Sequence, residues 1–358
     1  MTAALRPVVS CLVLAAAACS DPFESPSSVT GVRVLAVQLA APFARPGEPE
    51  SMRRLAHDGA ASPLENRLPA VTWFAGCEDP DDDAPSVCHQ RLAWIRSLGP
   101  DELAGAAIAS GKLPEGARVG TGLAFAYTPP SDIVSRHRTP ATETIPRGLA
   151  YVFFAACGGR LVPSPDERPA AGIPVACVDR ESGKPLGASR FVTGYVPIRV
   201  YDELVNHNPS LGDTLVGGRS ASGSACDGGG ACPAGEACSA GRCVLALARC
   251  DESSREDCPE IPVLPTVLDS SFETDEAGAS PGVPTAGETL WAAYYASAGE
   301  LDAPTRMLFD PTDGRASAGD AQGVFRVPSG FAGPARLWAV VHDTRGGVAG
   351  SQTDVVIR

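Results

Sequence analysis

Three aspartates at alternate positions, Asp79, Asp81 and Asp83, stand between Cys77 and Cys88. Carboxylates spaced this way could wrap a calcium ion, which gathers oxygen ligands from a turning backbone. The pattern is not an EF-hand loop, which requires glycine where Ala84 stands and glutamate where Gln90 stands. Asp310, Asp313 and Asp320 form a second, looser set, and a solvated acidic loop is the competing account of both. The five histidines, His57, His89, His137, His207 and His342, are scattered, none lies in His-Glu-x-x-His, and surface or hairpin positions are expected for them. Gly278-Ala279-Ser280-Pro281-Gly282 matches Gly-x-Ser-x-Gly. A nucleophile elbow needs a strand before the serine and an N–H after it; here the preceding stretch is polar and Pro281 has no N–H. Gly105 to Lys112 is one residue too long for a P-loop and puts Leu113 where a magnesium-binding hydroxyl belongs. No catalytic set emerges, and the chain is expected not to be an enzyme.

The cysteines are more informative. There are 12 in 358 residues. Cys11 and Cys19 lie in the N-terminal segment, and the remaining ten are an even number, as disulfides in an oxidising compartment require. Cys77 with Cys88, and Cys157 with Cys177, would each close a local loop; Cys77 with Cys157 across a sandwich is the alternative. Cys226, Cys232, Cys238, Cys243, Cys250 and Cys258 form a cluster. Few large apolar side chains accompany it, so covalent links must supply the order that a core cannot. A zinc site would call for short Cys-x-x-Cys pairs, which are missing. Six cysteines allow 15 pairings.

The N-terminus explains the compartment. Residues Met1 to Ala18 carry one charge, Arg6, followed by an apolar run from Val8 that is too short to span a membrane. Leu14-Ala15-Ala16-Ala17-Ala18-Cys19 resembles the lipobox of bacterial lipoproteins, departing from it in Ala16, where the family prefers leucine. The resemblance implies cleavage after Ala18 and a signal peptide over 1–18. It also implies acylation (palmitate among the chains) at Cys19 and attachment to the cell envelope. Ser20 favours the outer membrane in that family. Ser20 to Ser28, rich in serine, proline and acidic groups, reads as a tether over 19–28.

The elements that would carry these residues are strands. Val32 to Leu39 is apolar on both faces and stops at Pro42, which predicts a strand buried on both sides. Ala70 to Cys77, Leu149 to Cys157 and Phe191 to Tyr201 are further strand runs, and Pro46-Gly47-Glu48 is a turn. Pro100-Asp101-Glu102-Leu103 opens a short helix predicted to run towards Ser110 and stop at Gly111. Asn206-His207-Asn208-Pro209 reads as a boundary and Gly217 to Ser224 as a linker. Glu288 to Tyr295, Gly323 to Val327, Ala335 to Asp343 and Val348 to Ile357 are strands of a second unit. Trp73, Trp291 and Trp338 sit inside strand patterns and are expected in cores, leaving Trp94 as the one tryptophan available to a glycan.

Short turn-separated strands around Trp73 resemble an immunoglobulin-like domain over 29–203 with long insertions. Val341-His342-Asp343-Thr344-Arg345-Gly346-Gly347 and the strand after it resemble the end of PKD-like modules, giving a second sandwich over 204–223 and 261–358. Pro46-Gly47-Glu48 and Ala286-Gly287-Glu288 are similar turns that hint at related halves. The run from Cys226 to Cys243 resembles Dickkopf N-terminal and EGF-like cysteine-rich segments, placed at 224–260. That resemblance implies Cys226–Cys238, Cys232–Cys243 and Cys250–Cys258. The expected fold is mainly β: two immunoglobulin-like β-sandwich domains with a disulfide-rich insertion.

The net charge of −13, with no basic stripe, excludes nucleic-acid binding. The expected function is a non-catalytic cell-envelope lipoprotein that binds envelope proteins or glycans and touches the membrane through its N-terminal lipid. The Cys77–Cys88 loop and the Cys226–Cys258 cluster are its candidate contact surfaces. A calcium-dependent adhesion protein and an exported hydrolase with a dispersed site are the alternatives.

Overall fold

The computed structural model describes residues 25–59, 69–138, 145–166, 172–226, 232–251, 257–272 and 287–358. The segment read as a signal peptide, Cys19 and the Gly278–Gly282 string lie outside the described residues. The strands are β1 (Val32–Leu39), β2 (Phe43–Ala44), β3 (Glu50–Asp58), β4 (Ala70–Glu78), β5 (Arg118–Thr121), β6 (Ala124–Tyr127), β7 (Gly148–Cys157), β8 (Arg160–Pro163), β9 (Val175–Val178) and β10 (Phe191–Val200) in the first half. The second half holds β11 (Leu211–Val216), β12 (Glu236–Ser239), β13 (Arg242–Leu247), β14 (Glu260–Val267), β15 (Leu290–Ala296), β16 (Glu300–Leu301), β17 (Thr305–Asp310), β18 (Gly314–Arg315), β19 (Gly323–Arg326), β20 (Gly333–Asp343) and β21 (Val348–Ile357).

These strands make two immunoglobulin-like sandwiches. The first packs the sheet β1-β3-β6 on the sheet β2-β10-β7-β4-β5; the second packs β11-β14-β19-β16 on β12-β13-β21-β20-β15-β17-β18. Both share one device: an early strand crosses to the other sheet and runs parallel to the last strand. In the first half β2 pairs Phe43 with Arg199 of β10; in the second, β13 pairs Leu245 with Val355 of β21. The cysteine cluster is inserted in that crossing. It is therefore not wholly separate from the second sandwich, because β13, inside 224–260, is a strand of its larger sheet.

Alternation sorts each strand's side chains. In the first core Trp73 stacks on Phe125 at 6.0 Å, meets Phe154 edge-on at 5.7 Å and donates its indole N–H to Gly122 O. The opposite face of the same sheet carries a third layer, in which Leu92, Ile95, Leu103 and Ile173 cover Phe74 and Phe153. The helix predicted from Pro100 ends at Leu103, because Gly105 takes φ +102 and turns the chain out of the helix. Trp94 packs half-buried on this layer.

The two sandwiches are themselves stacked face to face. Leu35, Leu55 and Val29 from the first half pack against Trp338, Val340 and Val348 on the outer face of the seven-stranded sheet. This explains why Val32–Leu39 is apolar on both faces: Val32 and Leu39 enter the first core, Leu35 the junction. Trp338 lies in that junction, not inside the second sandwich. Ser27, at the end of the stretch read as a tether, and Val29 just after it are docked: Val29 N donates to Ala296 O and Ala296 N to Ser27 O, both 2.9 Å.

Candidate functional site

A β-bulge sets where the predicted acidic loop sits. The β4–β7 register shifts between Phe74 and Cys77, with Gly76 at φ +120. Trp73 and Ala75 face the core, and the extra residue turns Cys77 to the outer layer, where it joins Cys88. The structure thus forms the local pairs Cys77–Cys88 and Cys157–Cys177. A Cys77–Cys157 link is ruled out by register: Cys77 lies opposite Tyr151 while Cys157 lies opposite Ala70. Those positions are about 20 Å apart along β7, at ~3.3 Å per residue, and a disulfide spans at most ~7 Å between Cα atoms.

Beyond Cys77, Asp79 and Asp83 close around a histidine. His137 Nδ1 donates to Asp79 Oδ1 at 3.1 Å, and its Nε2 lies 3.4 Å from Asp83 Oδ1, with 3% of the side chain exposed. Arg136 binds Asp79 Oδ2 at 2.9 Å and Glu78 Oε2 at 2.6 Å; Arg147 binds Asp83 Oδ2 at 2.7 Å. Tyr127 donates to Glu78 Oε1 at 2.7 Å, and burial first, then this carboxylate, pushes its phenol well above the ordinary range. Asp81 stays exposed on the 3-10 turn. The carboxylates expected to face calcium are thus turned to guanidinium and imidazole groups, and a cation would have to displace them. Among the described residues, the one trio of metal-capable side chains with ligand atoms within 4.8 Å of one another is Cys226, Cys232 and Cys243, whose sulfurs are in disulfides. Asp310 and Asp320 cap turns instead, accepting from Thr312 N and from the Ser317 hydroxyl.

The cysteine cluster forms Cys226–Cys238, Cys232–Cys243 and Cys250–Cys258. It projects the β12–β13 hairpin at the margin of the larger sheet. Two of the five histidines depart from expectation, His57 and His137, which are buried; His89 and His207 are exposed and His342 lies in the β20–β21 hairpin.

A site that sequence reasoning missed lies where the halves meet. A cleft of about 440 Å³ opens between the margin of the first sandwich and the β20–β21 turn. One wall is β1, through Val34, Val37 and Leu39; another is Tyr195, Pro197 and Arg199 of β10. The third is Trp291 with His342, directly opposite across β15 and β20 and stacked at 5.4 Å with planes 14° apart. Trp291, expected in a core, is half-buried here, and Tyr195 is 50% exposed. Burial, ahead of the opposing charge of Asp343, holds the His342 imidazole below its usual pKa. The spacing of four that puts Trp291 with Tyr295, and Trp338 with His342, on one strand face was the available signal, and it reads equally as core until the topology is known.

No protein-family model matches the sequence, and no curated protein does. Among solved structures, dimeric latent PorU from Porphyromonas gingivalis aligns over 92% of this chain and 24% of its own, with TM-score 0.21 and 11% identity. This chain therefore spans about a quarter of that protein's length. The fibronectin(III)-like modules of CbhA from Clostridium thermocellum align over 90% of this chain and 93% of theirs, with TM-score 0.21 and 8% identity. At such scores neither likeness bears on function.

Proposed function

We propose that this protein is an exported, non-catalytic interaction module, anchored to the cell envelope through lipid at Cys19. The observation that carries the reading is the face-to-face union of two sandwiches into one body with an aromatic cleft at the seam. Such a surface is pre-organised, so little ordering cost opposes binding. The five disulfides support an oxidising compartment. The lipobox resemblance of Ala16-Ala17-Ala18-Cys19 supports the anchor, and an outer-membrane address follows from Ser20 within that resemblance. Envelope proteins or glycans are the partners of this reading. The likeness of the Cys226–Cys243 segment to Dickkopf and EGF-like modules belongs to it as well. Calcium-dependent adhesion is disfavoured by the ion pairs that already hold Asp79 and Asp83.

The test uses cells carrying the full chain with a photo-crosslinking aromatic residue at position 195. Envelope neighbours captured there, together with palmitate labelling that disappears in Cys19→Ala, are the expected result. Capture of nothing at the cleft or elsewhere on the surface, or a Cys19→Ala protein that stays with membranes, would overturn it.

A further inference from the structure

Among the described residues, the margin of the first sandwich beside the cleft is a strand edge shared only at one end. β10 pairs with β7 along its whole length, but on its other side β2 covers only Arg199 and Val200. Among the described residues no strand pairs with that side from Gly194 to Ile198. The backbone direction there follows from one bond: Tyr201 N donates to Ala44 O on the β2 side at 3.1 Å. With a period of two and no register break in β10, Arg199, Pro197 and Tyr195 turn their peptide groups the same way. Pro197 thereby stands where a missing N–H breaks no bond of the sheet, the position at which edge strands tolerate proline.

Exposed edges are ordinarily defended by charge, because unpaired peptide groups recruit other strands. Phe191-Val192-Thr193-Gly194-Tyr195-Val196-Pro197-Ile198 carries no charged side chain. The charge is at its end and is positive. Arg199 donates to Arg345 O at 3.3 Å, and among the described residues no carboxylate pairs with it. Among the described residues the cleft's one carboxylate, Asp343, is buried and committed, accepting from Arg345 N at 2.8 Å and Gly347 N at 2.7 Å. In a chain of net charge −13, the cleft therefore offers a guanidinium beside flat aromatic faces.

We infer that the cleft receives an extended, acidic polypeptide segment as an added strand on β10. Its peptide groups pair with Tyr195 and with Pro197 O, a carboxylate meets Arg199, and an apolar side chain lies between Tyr195 and Trp291. Strand addition gives affinity through the main chain and selectivity through alternate side chains. The inference rests on the interaction-module reading and specifies its partner.

The test selects short random peptides displayed on phage against the mature, disulfide-intact protein, and measures the enriched peptides by fluorescence anisotropy. Enrichment in Asp and Glu is expected. Arg199→Glu, checked for an unchanged melt, should weaken binding by about tenfold or more, the scale of one charge-assisted hydrogen bond. Methylation of alternate peptide nitrogens should abolish binding, and hydrogen exchange should slow over residues 191–198. No enrichment, equal binding to Arg199→Glu, indifference to N-methylation, or binding of an oligouronate in place of peptides would each overturn the strand-addition model. If photo-crosslinks in cells survive such a failure, only the peptide assignment falls; if they also vanish, the interaction-module reading falls with it.

Discussion

His57 shows how one side chain can report on the whole junction. It is 1% exposed, and its ring lies 4.8 Å from that of Trp338 between the two stacked sheets. Burial, and then the Arg336 charge, hold its pKa below the ordinary value, with Asp58 and Asp354 opposing. The sign follows by linkage. The unfolded chain takes up a proton near pH ~6.5, while the folded chain resists until lower pH. Stability is therefore complete above about pH 6.5 and is lost as pH falls through the depressed folded value. His342, depressed by burial, acts in the same direction. Melting temperatures measured from pH 7.5 down to pH 5 should fall, and His57→Phe, which keeps an aromatic ring beside Trp338, should flatten that fall. An unchanged pH slope in His57→Phe would mean that the junction does not sense this proton. Arg147 makes a second residue-scale case: Arg147→Ala strips a mostly buried partner from Asp83. A loss of about 1–3 kcal/mol in denaturant unfolding is expected.

At the scale of elements, strand identity was legible and strand placement was not. Leu149–Cys157 is continuously apolar because both its faces are covered, by the core and by the stapled outer layer; the run of Tyr, Val and Phe announced the strand and not its two covers. The bulge at Gly76 was invisible, since a glycine in a strand pattern does not say which way the next side chain is turned. Yet it decides which disulfide forms. A Cβ at Gly76 would sit 3.0 Å from Ala117 Cα, at a φ of +120 that side chains avoid. Gly76→Val should thus cost about 1–3 kcal/mol and leave Cys77 mis-aimed, detectable as titratable thiol in the folded protein. The crossing strand of the second half was likewise hidden, because Val244-Leu245-Ala246-Leu247 is short and follows a cysteine cluster that dominates its reading. Of the two similar turns, Pro46–Glu48 joins β2 to β3, whereas Ala286 lies outside the described residues and Gly287 and Glu288 lead into β15. What relates the halves is the parallel crossing strand. Cys232–Cys243 anchors it, with Cys243 buried at the start of β13. Replacing both cysteines by alanine should cost about 2–4 kcal/mol and speed exchange of the amides that β13 shares with Val355–Ile357 of β21. Unaltered exchange there would show that the strand holds its place without the bridge.

For the whole molecule, the boundary read at Asn206–Pro209 is a boundary in the chain and a clip in space. Asn208 Nδ2 donates to Leu39 O at 2.7 Å, and its Oδ1 accepts from Val348 N at 2.9 Å, so one side chain ties the first sandwich to the last strand of the second. Sequence could not reveal this, because a polar Asn-His-Asn-Pro turn is the same signal whether the flanking domains touch or swing free. The apolar area behind the clip argues for coupling. Interfaces within a chain permit motion unless they are large and hydrophobic, and here Trp338, Val340, Leu35 and Val29 are all buried in the seam. The sheets can approach so closely because Gly350 has no side chain: a Cβ there would lie 2.7 Å from Leu55 Cδ2. Wild-type protein with intact disulfides should therefore unfold in a single cooperative transition by calorimetry. Gly350→Leu adds bulk on the outer face of β21, away from the second sandwich's own core, so it should pry the halves apart while leaving each one folded. Two transitions and a red-shifted Trp338 emission at neutral pH are the expected signature, since overpacking at a close-packed seam costs about 1–3 kcal/mol or more. A single transition at the wild-type temperature would mean that the seam does not couple the halves, and the junction cleft would lose its claim to being pre-formed.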